Sequence, residues 1–162
     1  GGAFGGSCLP KDVRALAYLG QVSGEDLPVV QALLPSNAAH KDFIYRTATD
    51  GLETGAKILM LGLTFKSDTD DLRESPNVDL AESLLKAGYD LTIFDPAIVA
   101  MNLRGQNLGF ILNRLPQLRE LLADDTVFED GASAFDRVID MNGSAKTLGP
   151  FQREVVNLNR LP

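Results

Sequence analysis

A single cysteine near the start of the chain is the first candidate for chemistry. Cys8 follows a glycine-rich segment and stands two residues before Pro10, a residue type that suits the first turn of a helix. A helix N-terminus favours a thiolate, and Lys11 adds a positive charge nearby. A thiol, an amine and the Asp12 carboxylate this close in sequence suit covalent catalysis. The alternative is that Cys8 is a small buried hydrophobe beside a solvated first helical turn.

A polar segment between a predicted strand and a predicted helix is the second candidate. Residues 65–76 follow a short apolar strand, and Ser75 is expected to cap a helix that begins at Pro76. In doubly wound sheets, ligands bind beyond the carboxyl ends of the strands, where this segment lies. Lys66 and Arg73 could hold phosphate groups. The alternative is a long polar loop with internal ion pairs, and the segment lacks the three spaced glycines of a dinucleotide fingerprint.

Other polar residues are weaker candidates. His40 is expected on a helix with polar neighbours and is interpreted as a surface or packing residue. The acidic pairs at 70–71 and 124–125 are interpreted as solvated loop residues. A chain with one histidine and one cysteine offers little for a zinc site, so no metal is predicted.

The composition indicates a folded globular domain and argues against a nucleic-acid-binding or membrane-spanning protein. The 162 residues are 44% apolar and 23% charged, and their net charge of −7 repels nucleic acids and anionic membranes. No apolar run approaches the roughly 18 residues of a membrane span. The single cysteine excludes an internal disulfide and favours a reducing cytoplasm. The chain does not begin with methionine and is expected to be part of a longer protein.

The elements that would position these residues fall into two parts. Apolar spacing predicts helices over residues 10–22 and 26–49, with Pro35 expected to kink or divide the second. Glycines at 51 and 55 mark the expected boundary between a helical domain, 1–54, and a second domain, 55–162.

Beyond residue 55, predicted strands and helices alternate. Strands are predicted at 57–63, 90–94, 126–128, 137–141 and 152–158. Helices are predicted at 76–86 and over a mostly helical stretch, 98–122. Strands separated by crossover helices indicate a parallel sheet. The predicted fold class is therefore α/β, a helical segment followed by a doubly wound, Rossmann-like parallel sheet.

Both candidate segments resemble motifs of one enzyme family. Residues 5–13 (GGSCLPKDV) resemble the active-site cysteine motif of the UDP-glucose/GDP-mannose 6-dehydrogenases, which act on nucleotide sugars. Residues 62–76, with GLTFK and TDDLRESP, resemble the signature of their C-terminal domain, and FDP at 94–96 resembles the end of its second strand. The resemblance extends to about residue 122. The sequence of residues 8–16 and a helical insert around residues 110–122 favour GDP-mannose over UDP-glucose as substrate.

The resemblance implies oxidation of a sugar C6 alcohol to a carboxylate by two hydride transfers to NAD. Cys8 would be the nucleophile that forms a thiohemiacetal and then a thioester. Asp12 would position or activate water, and Lys11 matches the motif lysine. Arg73 matches an arginine on the NAD side of the cleft. The substrate-binding residues implied by the resemblance are Phe4, Gly5, Gly6, Phe65 and Lys66.

The sequence also departs from the family pattern. The NAD-binding N-terminal domain is absent from it, so the isolated chain is expected to be inactive, and residues 126–162 match only loosely. Residues 10–49 resemble the region where family members dimerise, which predicts a homodimer. One alternative is a non-catalytic module for nucleotide-sugar binding or dimerisation. Another is a thiol-based redox protein built around Cys8, although there is no second cysteine to resolve an oxidised thiol.

Overall fold

Two long helices open the chain and pack against each other. The computed structural model describes residues 1–65, 69–98 and 105–158. Helix α1 spans Leu9–Ser23 and helix α2 spans Pro28–Thr49, with a proline in the first turn of each, as predicted. Helix α1 ends at Gly24, whose left-handed backbone (φ 73°) allows its N–H to bond back to the last turn.

Helix α2 differs from the sequence prediction at Pro35. Division of the helix was one of the two expected outcomes, and it does not occur, since α2 runs unbroken through Pro35. The proline removes the N–H that would bond the carbonyl of Gln31. Both residues are exposed, so water can take the place of that donor. The helix therefore tolerates the proline on its solvent side.

Four parallel strands form the sheet that follows. They are β1 (Lys57–Leu61), β2 (Asp90–Phe94), β3 (Arg137–Asp140) and β4 (Val155–Asn157), in the order β2-β1-β3-β4. Helix α3 (Pro76–Lys86) connects β1 with β2. Because the chain leaves β1 toward β2 on one side and returns to pair β3 on the other, the order reverses between β1 and β3. This reversal confirms the doubly wound parallel sheet and places the expected ligand crevice at the carboxyl end of β1.

Both faces of the sheet are covered. Ile58 and Met60 of β1 belong to one core cluster, which includes Ile44 and Ala48 of α2. Residues Leu59 and Leu61 point to the other face, where they pack with aromatic side chains of the later loops. This alternation is that of a strand buried on both sides, and it attaches the second half of α2 directly to the sheet.

The segment after β2 holds short helices and one corrected prediction. Helix α4 spans Gly105–Arg114, α5 spans Leu118–Leu121 and α6 spans Ala145–Leu148; residues 99–104 of the predicted helical stretch lie outside the described residues. The predicted strand at 126–128 is wrong, since Asp125–Phe128 forms a 3₁₀ helix. The Asp124 carboxylate caps it by accepting the Thr126 N–H, and the Phe128 ring packs edge-on against Phe94.

Candidate active site

Cys8 lies at the mouth of α1, as its position before Pro10 predicts. It is the N-cap residue, and its carbonyl accepts the Asp12 N–H at 2.9 Å to begin the helix. Its thiol makes no capping hydrogen bond and is exposed, with Ser7 Oγ 3.9 Å away. The exposure contradicts the alternative that Cys8 is a buried hydrophobe. The thiol is therefore accessible from solvent.

Lys11 and Asp12 lie on the exposed side of the first turn of α1. Their side chains form an ion pair, with Lys11 Nζ 3.3 Å from Asp12 Oδ1. This geometry matches the solvated first turn considered as the alternative in the sequence. It keeps a carboxylate and an amine one turn from Cys8, but the two groups contact each other.

The glycines before Cys8 bring the two sequence motifs together. The Gly6 N–H donates to the Glu74 carbonyl at 3.0 Å. A Cβ atom on Gly5 would lie 2.3 Å from Glu74 O and 2.5 Å from Pro76 Cδ. Gly6 has φ +84°, and a Cβ there would lie 2.9 Å from the Phe65 ring. Only glycine allows this approach, so the cysteine loop (residues 4–8) docks on the loop between β1 and α3.

Glu74 is the contact residue on the β1–α3 loop. Besides accepting the Gly6 N–H, it pairs through its carboxylate with Arg14 of α1, with Arg14 Nη2 3.1 Å from Glu74 Oε2. Its backbone is left-handed (φ 53°), a conformation that costs a non-glycine residue free energy. A strained residue at a junction of two candidate motifs is typical of a ligand-binding site.

Asp95, at the end of β2, positions the start of the β1–α3 loop. It is 6% exposed, and its Oδ2 accepts the Leu63 N–H at 2.7 Å and the Thr64 N–H at 3.1 Å. Its other oxygen accepts the Ala97 N–H at 3.0 Å. In the sequence, Asp95 stands in the FDP motif, which by itself indicates no role in the site. The local signal for such a role is an Asp-Pro pair directly after a buried strand.

Ser75 and Asn77 hold the same loop from the side of α3. The Ser75 hydroxyl accepts the Asn77 N–H at 3.2 Å, which confirms the predicted cap, and donates to the Leu63 carbonyl at 2.8 Å. The Asn77 side-chain amide donates to the Thr64 carbonyl at 2.7 Å. Phe65, the next residue, is half-buried against Gly6. The N–H and carbonyl groups of Leu63 and Thr64, the two residues before Phe65, are therefore all hydrogen-bonded.

Arg73 forms an ion pair with Asp71 within the β1–α3 loop. Hydrogen bonds from the Arg73 side chain and backbone hold the pKa of Asp71 below its usual value. The pKa of Arg73 is raised in turn, first by that side-chain hydrogen bond and then by the Asp71 charge. The internal ion pair considered as an alternative is therefore present, with Arg73 Nη2 2.8 Å from Asp71 Oδ2.

Asn107 of α4 secures the segment that precedes Arg73. Its side chain accepts the Leu72 N–H at 2.9 Å and donates to the Asp70 carbonyl at 2.7 Å. Asp70 and Asp71 therefore belong to a fixed turn. Among the described residues, no group of three or more His, Cys, Asp or Glu side chains could hold a metal ion.

Most of the predicted substrate-binding residues share this place. Phe4, Gly5, Gly6 and Phe65 lie where the cysteine loop meets the β1–α3 loop. Lys66 lies outside the described residues. His40 donates its Nε2–H to the Gly1 carbonyl (2.7 Å) and stacks on Phe43, as a packing residue does.

None of the helices in residues 1–65, 69–98 and 105–158 has the length and apolar character needed to cross a bilayer.

The fold and site together define an α/β nucleotide-binding domain of the dehydrogenase type. Residues 59–137 match the UDP binding domain of the UDP-glucose/GDP-mannose dehydrogenase family. The chain is 42% identical over 139 residues to the GDP-mannose 6-dehydrogenase of Pseudomonas syringae pv. tomato, covering 86% of this chain and 29% of that protein. It is 39% identical over 99 residues to the UDP-glucose 6-dehydrogenase of Pseudomonas aeruginosa, covering 59% and 22%. The chain therefore belongs to the UDP-glucose/GDP-mannose dehydrogenase family, as its two motifs predict.

A solved structure agrees with this assignment. The chain superposes on the 1.55 Å crystal structure of a ternary complex of GDP-mannose dehydrogenase from Pseudomonas aeruginosa with a TM-score of 0.81 and 37% identity. The match covers 98% of this chain and 36% of that one. The chain thus spans about a third or less of the length of these relatives.

Proposed function

We propose that this chain is the catalytic-cysteine and nucleotide-sugar-binding part of an NAD-dependent nucleotide-sugar 6-dehydrogenase, with GDP-mannose as the favoured substrate. The docking of Gly5 and Gly6 on Glu74 and the Phe65 ring supports this most directly. It joins the segment that leads to the exposed Cys8 thiol to the loop that follows β1, and doubly wound sheets bind nucleotides beyond the carboxyl ends of their strands.

In the proposed reaction, Cys8 carries the covalent step. The sugar C6 alcohol first loses a hydride and a proton to become an aldehyde. The Cys8 thiolate adds to that carbonyl to give a thiohemiacetal, which loses a second hydride to become a thioester. Water then adds to the thioester carbonyl, and the thiol leaves as the carboxylate forms. Asp12 is proposed to position that water; its carboxylate lies 3.3 Å from the Lys11 ammonium group.

NAD supplies the hydride acceptor when bound. Within this chain, Arg73 fits a role toward its phosphates, because a guanidinium is a permanent cation that hydrogen-bonds phosphate oxygens. In the described structure that guanidinium is engaged with Asp71. The family relationship supports NAD as the cofactor, and the rest of its site is proposed to lie in another domain of the enzyme.

Substrate binding is proposed for Phe4, Gly5, Gly6, Phe65 and Lys66. The family segment matched by residues 59–137 is described as a UDP binding domain, which supports a nucleoside diphosphate as the ligand. The match to GDP-mannose 6-dehydrogenase is longer than the match to UDP-glucose 6-dehydrogenase, which favours GDP-mannose.

A homodimer is also proposed, from the exposed apolar side chains of α1 and α2. Leu16, Leu19 and Val22 of α1 are about half exposed, and Val29 of α2 is 75% exposed. Such a surface is typical of an interface. Sedimentation that shows only monomer at high concentration would contradict the dimer.

The single cysteine supports a cytoplasmic location.

Isothermal titration of the chain with GDP-mannose and with UDP-glucose tests the proposal. Saturable binding that is tighter for GDP-mannose is expected. Tighter binding of UDP-glucose would overturn the substrate preference, and binding of neither would refute a preformed nucleotide-sugar site in this chain. With the NAD-binding domain restored, Cys8→Ala is expected to abolish carboxylate formation while Ser36→Ala, on the exposed side of α2, leaves it unchanged. Two-step oxidation by the Cys8→Ala enzyme would refute the role of the thiol.

A further inference from the structure

Asn37 is a buried polar side chain in the middle of α2 that contacts the cysteine loop. It is 9% exposed. The Phe4 N–H donates to Asn37 Oδ1 at 2.9 Å, and Asn37 Nδ2 donates to the Phe4 carbonyl at 2.8 Å. The pair is 33 residues apart in sequence, so it connects α2 with the segment that leads to Cys8.

A carboxamide suits this contact because it carries a donor and an acceptor side by side. It offers Phe4 the same two hydrogen bonds that a residue of a neighbouring antiparallel strand would offer. An aspartate lacks the donor and an alanine lacks both groups. Separation from Phe4 would leave the buried polar atoms of Asn37 unsatisfied, which opposes opening of the loop.

Helix α2 gives Asn37 a fixed position relative to the sheet. One turn further along, Lys41 Nζ lies 2.6 Å from Asp79 Oδ2 of α3. At the end of the helix, the Arg137 guanidinium of β3 donates to the Ala48 carbonyl at 3.1 Å. Ala48 itself is fully buried in the core. Residues of α2 that follow Asn37 therefore attach the helix to α3 and to the sheet. Through Asn37, this fixed helix also holds Phe4.

The cysteine loop has a second anchor on the other side. Gly6 donates its N–H to Glu74, so hydrogen bonds hold the backbone at residue 4 from α2 and at residue 6 from the β1–α3 loop. Cys8 follows two residues later. We propose that Asn37 is a positioning residue, whose carboxamide fixes Phe4 and thereby sets the cysteine loop against the β1–α3 loop. This inference rests on the proposed function, because the positioned loop is the proposed nucleotide-sugar site.

Amide hydrogen exchange of the chain tests the anchoring, with titration by GDP-mannose as the second readout. Asn37→Ala is expected to accelerate exchange of the Phe4 amide by roughly tenfold and to weaken GDP-mannose binding by at least about threefold. Asn37→Asp keeps an acceptor for the Phe4 N–H and loses the donor, so an intermediate acceleration is expected. Amides of β1 report whether each variant is folded, and their exchange is expected to stay unchanged.

Ser36→Ala is the matched control, because Ser36 is the exposed neighbour of Asn37 on the same helix. It is expected to leave both readouts as they are. Unchanged Phe4 exchange in Asn37→Ala would overturn the anchoring. Accelerated exchange with unaltered GDP-mannose affinity would overturn the positioning role. If the unsubstituted chain binds neither GDP-mannose nor UDP-glucose, the proposed function fails, and the exchange rates alone then decide whether Asn37 anchors the loop.

Discussion

Replacing Gly5 with alanine is the sharpest test of the contact between the two motifs. The added Cβ would lie 2.3 Å from Glu74 O, whereas real Cβ contacts below 3.0 Å are essentially never seen. The loop or Glu74 must therefore move by at least about 0.7 Å, the difference between those distances. The second neighbour, Pro76 Cδ at 2.5 Å, belongs to a rigid ring and cannot yield by rotating.

The structure sets the size of the effect. Overpacking at a tight contact costs about 1–3 kcal/mol. The upper end is limited because the cysteine loop can detach from Glu74. Detachment would cost the Gly6 hydrogen bond, about 1 kcal/mol. We therefore expect Gly5→Ala to lower the free energy of unfolding by about 1 kcal/mol and to weaken GDP-mannose binding by roughly fivefold or more.

Urea unfolding followed by helical circular dichroism measures the stability, since the chain has no tryptophan for fluorescence. Gly2→Ala is the matched control, because a Cβ at Gly2 would have no neighbour within 4 Å. It is expected to change the free energy of unfolding by less than about 0.5 kcal/mol. If Gly5→Ala is as stable as Gly2→Ala and binds GDP-mannose equally well, the docking of the cysteine loop on Glu74 is refuted.

Two further predictions concern the frame of the site. Arg137→Met removes the guanidinium that donates to the carbonyls of Ala48 (3.1 Å) and Asp50 (2.7 Å), and we expect a loss of about 2 kcal/mol in the free energy of unfolding, measured with urea. Asp71→Asn removes a carboxylate whose pKa is lowered by its hydrogen bonds from Arg73. A lowered pKa stabilises the folded chain above the unfolded pKa of about 3.9 and ceases to do so as the pH falls through the folded value. We expect Asp71→Asn to cost about 0.5 kcal/mol at neutral pH, since water screens the pair, and the difference from the unsubstituted chain to vanish in acid.

Each of these predictions has a control or a contrary outcome. Arg153→Met removes an exposed arginine whose hydrogen bonds to the Ser133 carbonyl are long, at 3.4 Å, and is expected to change stability by less than about 0.5 kcal/mol. Equal losses for Arg137→Met and Arg153→Met would show that Arg137 does not hold the end of α2. A stability difference for Asp71→Asn that grows as the pH falls would contradict the direction of the Asp71 pKa.

Much of the fold is readable from local pattern, because buried parallel strands and helix caps are local signals. Residues 57–63 form a short apolar run with a glycine at position 62, and β1 ends directly before that glycine. Ser75 before Pro76 combines a capping side chain with a residue suited to the first turn, and α3 begins there. The prediction fails at 126–128, where the apolar pair Val127 and Phe128 suits a strand but the Asp124 carboxylate caps a 3₁₀ helix.

The candidate site is readable only in part, since its assembly depends on contacts between distant segments. The position of Cys8 before Pro10 predicts a thiol at a helix mouth, whereas its exposure is known only from the structure. Nothing in the spacing predicts that Gly6 meets Glu74, because the two lie 68 positions apart and the contact depends on the packing of α1 and α2 on the sheet. Asn37 gives no local signal either, since a polar residue in a helix usually faces water.

The two motifs are one structural unit, and this explains why glycine, strain and buried amides all occur at their junction. The cysteine loop has too few side chains to bury a core of its own. Its place is set by backbone hydrogen bonds to Asn37 and Glu74 and by close approach at Gly5 and Gly6. Backbone contacts of this kind fix a loop without covering it, so the thiol stays exposed while its distance from the β1–α3 loop is set. A nucleophile needs both properties at once, because it must be open to a carbonyl and held in one geometry.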